Sequence, residues 1–111
     1  MTEDQLQAKF FQTVWNNYPQ TRCLLFSVPN GSSRHPLEAV KLKATGLISG
    51  IPDIIFVWKG KAYGIEIKTP IGKLSSRQMD IHKRWADNNI PIHIIRSVEE
   101  GISLIESIVL T

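Results

Sequence analysis

Two apolar runs within residues 50–69, hinged at Lys59-Gly60, predict a β-hairpin in the middle of the chain. Counting outward from this turn places Asp53 opposite Glu66, and the two-residue period of a strand puts Lys68 on the same face. The other face of the hairpin is a continuous hydrophobic surface. Because a desolvated carboxylate needs a partner, a proton or a metal, the charged face is the first candidate for a functional site.

Length and composition predict one domain, residues 1–111, since 111 residues with 42% hydrophobic content supply a single core. The apolar runs are short and the N-terminus is polar, so we expect no membrane span, no signal peptide and a cytoplasmic protein. The single cysteine, Cys23, is expected to be a buried thiol in an apolar strand. A formal charge of +3 permits a polyanionic partner without requiring one.

Helix and strand signals alternate along the chain. Thr2 with Gln5 and Ser75 with Gln78 have the spacing of capping boxes, which open helices. A third helix start is predicted at Ser97, and short apolar runs between the helices predict strands. The predicted class is therefore α/β, in the order α-β-α-β-β-α-β-α.

Two carboxylates that face each other repel unless a cation lies between them. A hard cation such as Mg²⁺ suits Asp53 and Glu66, because it binds through oxygen and accepts one or two carboxylates. The backbone carbonyl of Ile67 is a candidate further ligand, and Lys68 is a candidate for holding a water or stabilising charge on a phosphate. The alternative is that Lys68 forms only an ion pair with Glu66 or Asp53. Histidines 35, 82 and 93 lack the spacing of a zinc site.

These motifs resemble the VRR-NUC nucleases of the PD-(D/E)XK superfamily, in particular the stand-alone members from phages and bacteria. The resemblance rests on Gly-x-Pro-Asp at residues 50–53, Glu-x-Lys at residues 66–68, and Gln78 on the next helix. The "VPNG" loop at residues 28–31 and "KLKATG" at residues 41–46 also resemble these members. The resemblance implies a restriction-endonuclease-like fold, with a mixed β-sheet flanked by helices.

By the same resemblance, Asp53 and Glu66 are metal ligands, Lys68 assists the attacking water, and Gln78 lies close to the site. The family also places an acid on the first helix, which corresponds to Glu3 here, a further candidate ligand. Gln78 and Glu3 each have a structural alternative. Gln78 could act only in its capping box with Ser75, and Glu3 could act only through a favourable interaction with the dipole of the first helix.

The function implied is Mg²⁺- or Mn²⁺-dependent hydrolysis of DNA. Candidate DNA contacts are Asn30, Arg34, Lys41, Lys43, Lys73 and Arg77, although a solvated rim of charges is an equal alternative for the basic residues. One such site on a chain of 111 residues predicts a symmetric homodimer, with the apolar face of the last helix or the loop at residues 28–36 as its contact surface. The stand-alone relatives imply four-way (Holliday) junctions as its substrate. Flap cleavage, RNA cleavage and a non-catalytic DNA-binding module are the alternatives.

Overall fold

The computed structural model describes residues 1–29 and 35–111, and its main elements follow the predicted order. They are α1 (Glu3–Asn17), β1 (Leu25–Ser27), α2 (Pro36–Ala44), β2 (Ile54–Trp58), β3 (Lys61–Ile67), α3 (Ser76–Asp87), β4 (Ile92–Ile95) and α4 (Val98–Val109). A short 3₁₀ helix at Pro19–Thr21 follows α1. In the described part of the chain, no helix is both long enough and apolar enough to cross a membrane.

The capping residues predicted for α1, α3 and α4 occupy those positions. Thr2 and Ser75 each close a complete capping box. At α4 the hydroxyl of Ser97 accepts a hydrogen bond from the N–H of Glu100, while the Glu100 side chain accepts from the N–H of Arg96. These caps satisfy N–H groups that the first turn of a helix leaves without partners, so they fix where each helix begins.

The central hairpin has the predicted register. Strands β2 and β3 are antiparallel, with Trp58 opposite Lys61 and Ile54 opposite Ile65. Lys59 and Gly60 both have positive φ, at 47° and 80°, as a two-residue type I′ turn requires. One step beyond the Ile54–Ile65 pair, this register brings Asp53 opposite Glu66.

The sheet is mixed and runs in the order β1-β2-β3-β4. Strand β1 is antiparallel to β2, whereas β4 is parallel to β3. A parallel neighbour needs a crossover connection, and α3 lies on that connection between β3 and β4. The α/β architecture predicted from the sequence, a mixed sheet with flanking helices, is confirmed.

One face of the hairpin supplies the centre of the core. Its fully buried side chains are Ile54, Phe56, Ile65 and Ile67. Leu6, Phe10 and Val14 of α1 and Ile105 of α4 belong to the same buried cluster. Burial of a large aliphatic or aromatic side chain contributes about 1.5 to 3 kcal/mol, so these contacts hold α1 and α4 against the sheet.

Gly101 allows α4 to approach α1 closely. A Cβ atom there would lie 2.5 Å from ring carbons of Phe10 and 2.9 Å from Cδ1 of Ile95. We expect Gly101→Ala to lower the free energy of unfolding by about 1 to 3 kcal/mol, because overpacking outweighs the better helix propensity of alanine. Urea unfolding measures this, with Ser103→Ala on the exposed side of α4 as the control. A Gly101→Ala protein as stable as the parent would contradict the close packing.

Two sequence-based expectations are wrong. Cys23 is exposed, because the chain turns at this residue with φ of 67° and the strand starts only at Leu25. The apolar face of α4 is not free to form a dimer contact, since Gly101 and Ile105 are buried. The other candidate contact, the loop at residues 28–36, lies in part outside the described residues.

Candidate active site

The charged face of the hairpin brings Asp53 and Glu66 together. Their side chains are hydrogen bonded to each other, which requires one of the two carboxyl groups to carry a proton. Asp53 Oδ2 also accepts a hydrogen bond of 2.7 Å from the N–H of Ile67, the residue between Glu66 and Lys68. Glu66 is 1% exposed and Lys68 is 8% exposed, so the site is largely withdrawn from solvent.

Burial raises the pKa of Glu66 to about 9, and the hydrogen bond and negative charge of Asp53 act in the same direction. The positive charge of Lys68 lowers this pKa by less than Asp53 raises it. At neutral pH, without a bound cation, Glu66 therefore keeps its proton. At neutral pH, the two carboxyl groups both ionise only when more positive charge reaches the site.

Helix α3 covers Glu66 with two polar side chains that lie one turn apart. Gln78 Nε2 donates to Glu66 Oε2 at 3.4 Å, and His82 Nε2 lies 3.0 Å from Glu66 Oε1. Burial, and then the charge of Lys68, lower the pKa of His82, which favours a neutral imidazole and a hydrogen bond over an ion pair. No sequence motif indicates that His82 belongs to the site.

Gln78 fills both of the roles that were open from the sequence. Its Oε1 accepts from the N–H of Ser75 at 2.9 Å, and its own N–H donates to Ser75 Oγ at 3.1 Å, which completes the capping box. The same side chain uses Nε2 to reach Glu66. The first turn of α3 is thus joined directly to the site.

The structure around Gly50 explains why the Gly-x-Pro-Asp motif begins with a glycine. Its φ is +84°, and a Cβ there would lie 2.8 Å from Cγ of Arg77 and 3.1 Å from Cδ1 of Ile81. Arg77 Nε also donates to the carbonyl of Ser49 at 3.3 Å. The loop that leads into Asp53 therefore packs directly on α3, the helix that also contacts Glu66.

The other predicted site residues lie farther out. Glu3 is exposed in the first turn of α1, and its charge contributes to the raised pKa of Glu66, so it lies within electrostatic reach. Lys41 and Lys43 are exposed in the last turn of α2, and Lys73 and Arg77 are exposed near the start of α3. Asn30 and Arg34 lie outside the described residues.

The donor chemistry of the site fits a hard divalent cation. In residues 1–29 and 35–111, no three His, Cys, Asp or Glu side chains are grouped so that they could hold a metal ion. The candidate protein ligands are then the carboxylates of Asp53 and Glu66 together with backbone oxygen. Mg²⁺ is commonly held by one or two carboxylates, with water and substrate oxygens completing its octahedron.

The raised pKa of Glu66 should make the free energy of unfolding depend on pH. A carboxyl group whose pKa is raised by folding stabilises the protein fully below its unfolded value, near pH 4.5, and this contribution is lost as pH rises toward about 9. In EDTA we expect Glu66→Gln to gain stability relative to the parent between pH 7 and pH 9. Urea unfolding at both pH values measures this, with the exposed Glu99→Gln as control. A constant difference between Glu66→Gln and parent would contradict the buried, protonated carboxyl.

Comparison with known proteins finds likeness at the level of the fold. A solved structure described as a VRR_NUC domain protein matches with a TM-score of 0.79 and 21% identity, over 99% of this chain and 89% of the other. Another, described as a VRR_NUC domain, matches with a TM-score of 0.62 and 16% identity, over 96% and 97% of the two chains. No protein-family model and no curated protein matches the sequence. The chain has the fold of the VRR-NUC domain, as its motifs predict.

Proposed function

We propose that this protein is a Mg²⁺- or Mn²⁺-dependent endodeoxyribonuclease that hydrolyses phosphodiester bonds in branched DNA. The observation that carries the proposal is the buried Glu66 beside the half-buried Asp53, with Lys68 on the same face, within a VRR-NUC fold. A protein that only binds DNA has no need to bury a carboxyl group against a second one that raises its pKa. A cation-dependent hydrolase has that need.

The residues of the site take distinct roles in this proposal. Asp53 and Glu66 would hold the cation, with the carbonyl of Ile67 as a further oxygen ligand, whereas Glu3 is not grouped with them and would act only through its charge. When bound, the cation supplies Lewis-acid charge that polarises a phosphate and makes water more acidic. Lys68 orients the attacking water and stabilises negative charge as it develops on the phosphate oxygens.

Exposed lysine and arginine side chains supply the contact with DNA. Lys41, Lys43, Lys73 and Arg77 bind backbone phosphates in this proposal, joined by Asn30 and Arg34. Such contacts are blind to sequence and weaken as salt concentration rises. The enzyme should therefore select DNA by its shape.

We propose that the active form is a two-fold dimer and that four-way junctions are the preferred substrate. Helix α2 supports the dimer, because none of its nine residues is buried, while Leu37 is 76% and Val40 is 67% exposed. These two residues lie three positions apart and so share one side of the helix. A groove of about 310 Å³ beside α2 is lined by apolar residues that include Leu42, Leu47 and Ile51. A short helix is marginal without packing, and a second copy would supply it.

Symmetry connects the dimer to the junction. Each chain carries one Asp53–Glu66–Lys68 site, so two cuts in one substrate call for two chains. A two-fold dimer presents two equivalent sites, and a four-way junction offers two equivalent strands.

The test combines light scattering with cleavage of labelled linear, flapped, splayed and four-way DNA and of an RNA duplex, each with Mg²⁺ or Mn²⁺. We expect a mass of about twice 12.6 kDa and paired cuts in the four-way junction. The double variant Leu37→Asp/Val40→Asp should be monomeric, with Ile71→Asp as a control, because Ile71 is 90% exposed and does not line that groove. Cleavage of flaps with junctions left intact would overturn the junction preference, and binding without cleavage would overturn the nuclease.

A further inference from the structure

We propose that His82 is a positioning residue of this site, which fixes the Glu66 carboxylate in the orientation that holds the cation. The inference rests on the proposed function and deepens it, because it assigns a role to a side chain outside the Asp53, Glu66 and Lys68 motif. His82 acts through Glu66 and not on the substrate.

The geometry gives each oxygen of Glu66 its own partner on α3. His82 Nε2 lies 3.0 Å from Oε1, and Gln78 Nε2 lies 3.4 Å from Oε2. With its hydrogen on Nε2, the imidazole donates to Oε1, as the amide of Gln78 does to Oε2. A carboxylate oxygen has two lone pairs, so each oxygen retains one for a cation while it accepts from α3.

Helix α3 is anchored well enough to hold Glu66 in place. Gln78 and His82 are four residues apart and therefore lie on one side of the helix. Ile81 between them is buried, and it packs beside Gly50 in the loop that leads to Asp53. The same helix thus sets the positions of both carboxyl-bearing segments.

The shorter of the two hydrogen bonds comes from His82, so its loss has the larger consequence for Glu66. Without it, Oε1 of a side chain that is 1% exposed loses its partner on α3, and only the longer contact from Gln78 still holds the carboxylate to that helix. Groups that hydrogen bond to metal ligands orient them, and their replacement typically costs about 10- to 100-fold in metal affinity or activity.

The experiment compares His82→Leu, which removes the donor, with His82→Gln, which keeps an N–H donor of similar reach. Met79→Leu is the control, because Met79 is exposed on the neighbouring position of α3. Mn²⁺ binding is measured without DNA, from the electron paramagnetic resonance signal of the free ion, and kcat and KM are measured on junction DNA. We expect His82→Leu to bind Mn²⁺ about 10- to 100-fold more weakly and to lose kcat by a similar factor, with KM for DNA unchanged.

We expect His82→Gln to recover most of the Mn²⁺ affinity and Met79→Leu to match the parent. A folded His82→Leu protein with parental Mn²⁺ affinity would overturn the inference, as would a His82→Gln protein as impaired as His82→Leu. Where thermal melting shows that His82→Leu is unfolded, His82→Phe keeps the ring volume without the donor and is judged by the same criteria. A parent that binds Mn²⁺ but cuts no DNA refutes the nuclease, while the Mn²⁺ measurements still decide the role of His82.

Discussion

Asp53→Asn, Glu66→Gln and Lys68→Met should each reduce DNA cleavage by several orders of magnitude and leave DNA binding nearly intact. Each substitution preserves the approximate shape of a buried or half-buried side chain but removes its charge. In the proposed mechanism these charges stabilise the transition state more than the bound DNA, so their loss lowers kcat more than it raises KM. Single-turnover cleavage of a labelled junction measures the effect.

Matched controls separate chemistry from DNA binding and folding. Lys61→Met and Asp80→Asn remove exposed charges from β3 and α3 and should leave cleavage near the parental rate. Binding is measured in Ca²⁺, and folding by circular dichroism. Parental cleavage by Asp53→Asn in Mg²⁺ would show that the candidate site is wrong.

Removing divalent cations should abolish cleavage, and Ca²⁺ should restore DNA binding with little or no cleavage. Any divalent cation at Asp53 and Glu66 offsets the repulsion between their carboxylates. Ca²⁺ takes six to eight oxygen ligands in a flexible geometry, whereas Mg²⁺ imposes a near-ideal octahedron. Cleavage should therefore differ between Ca²⁺ and Mg²⁺, whereas DNA binding should be similar with either ion.

Cation titrations of EDTA-treated protein measure both steps in parallel, by fluorescence anisotropy for binding and by gel assay for cleavage. The Asp53→Asn variant controls for cations that bind the DNA alone. Equal turnover in Ca²⁺ and Mg²⁺ would argue against cation-assisted hydrolysis, and cleavage that persists in EDTA would exclude it.

The architecture could be predicted because its signals are local. Capping boxes marked the starts of α1 and α3, and Lys59-Gly60 fixed the hairpin register that brings Asp53 to Glu66. A strand has a period of two, so one correct turn settles the face of every side chain in the hairpin. The pairing of the two carboxylates followed from that register alone.

Contacts between elements far apart in sequence could not be predicted in this way. His82 carries no spacing signal of its own, and its partner Glu66 lies 16 residues earlier on another element. The periodicity of α2 does not reveal that Leu37 and Val40 stay exposed, because exposure depends on what packs there. Cys23 was misjudged because a turn interrupts an apolar run that reads as a strand.

The double use of Gln78 links local unfolding to the site. Its side chain caps the first turn of α3 and also holds Glu66, so that turn cannot open without releasing the carboxylate. The free energy of this opening therefore includes the loss of the Gln78–Glu66 hydrogen bond as well as the loss of the helix cap. Amide hydrogen exchange at Gln78 and Met79 should consequently slow when a cation fixes Glu66, which makes the helix end a reporter of site occupancy.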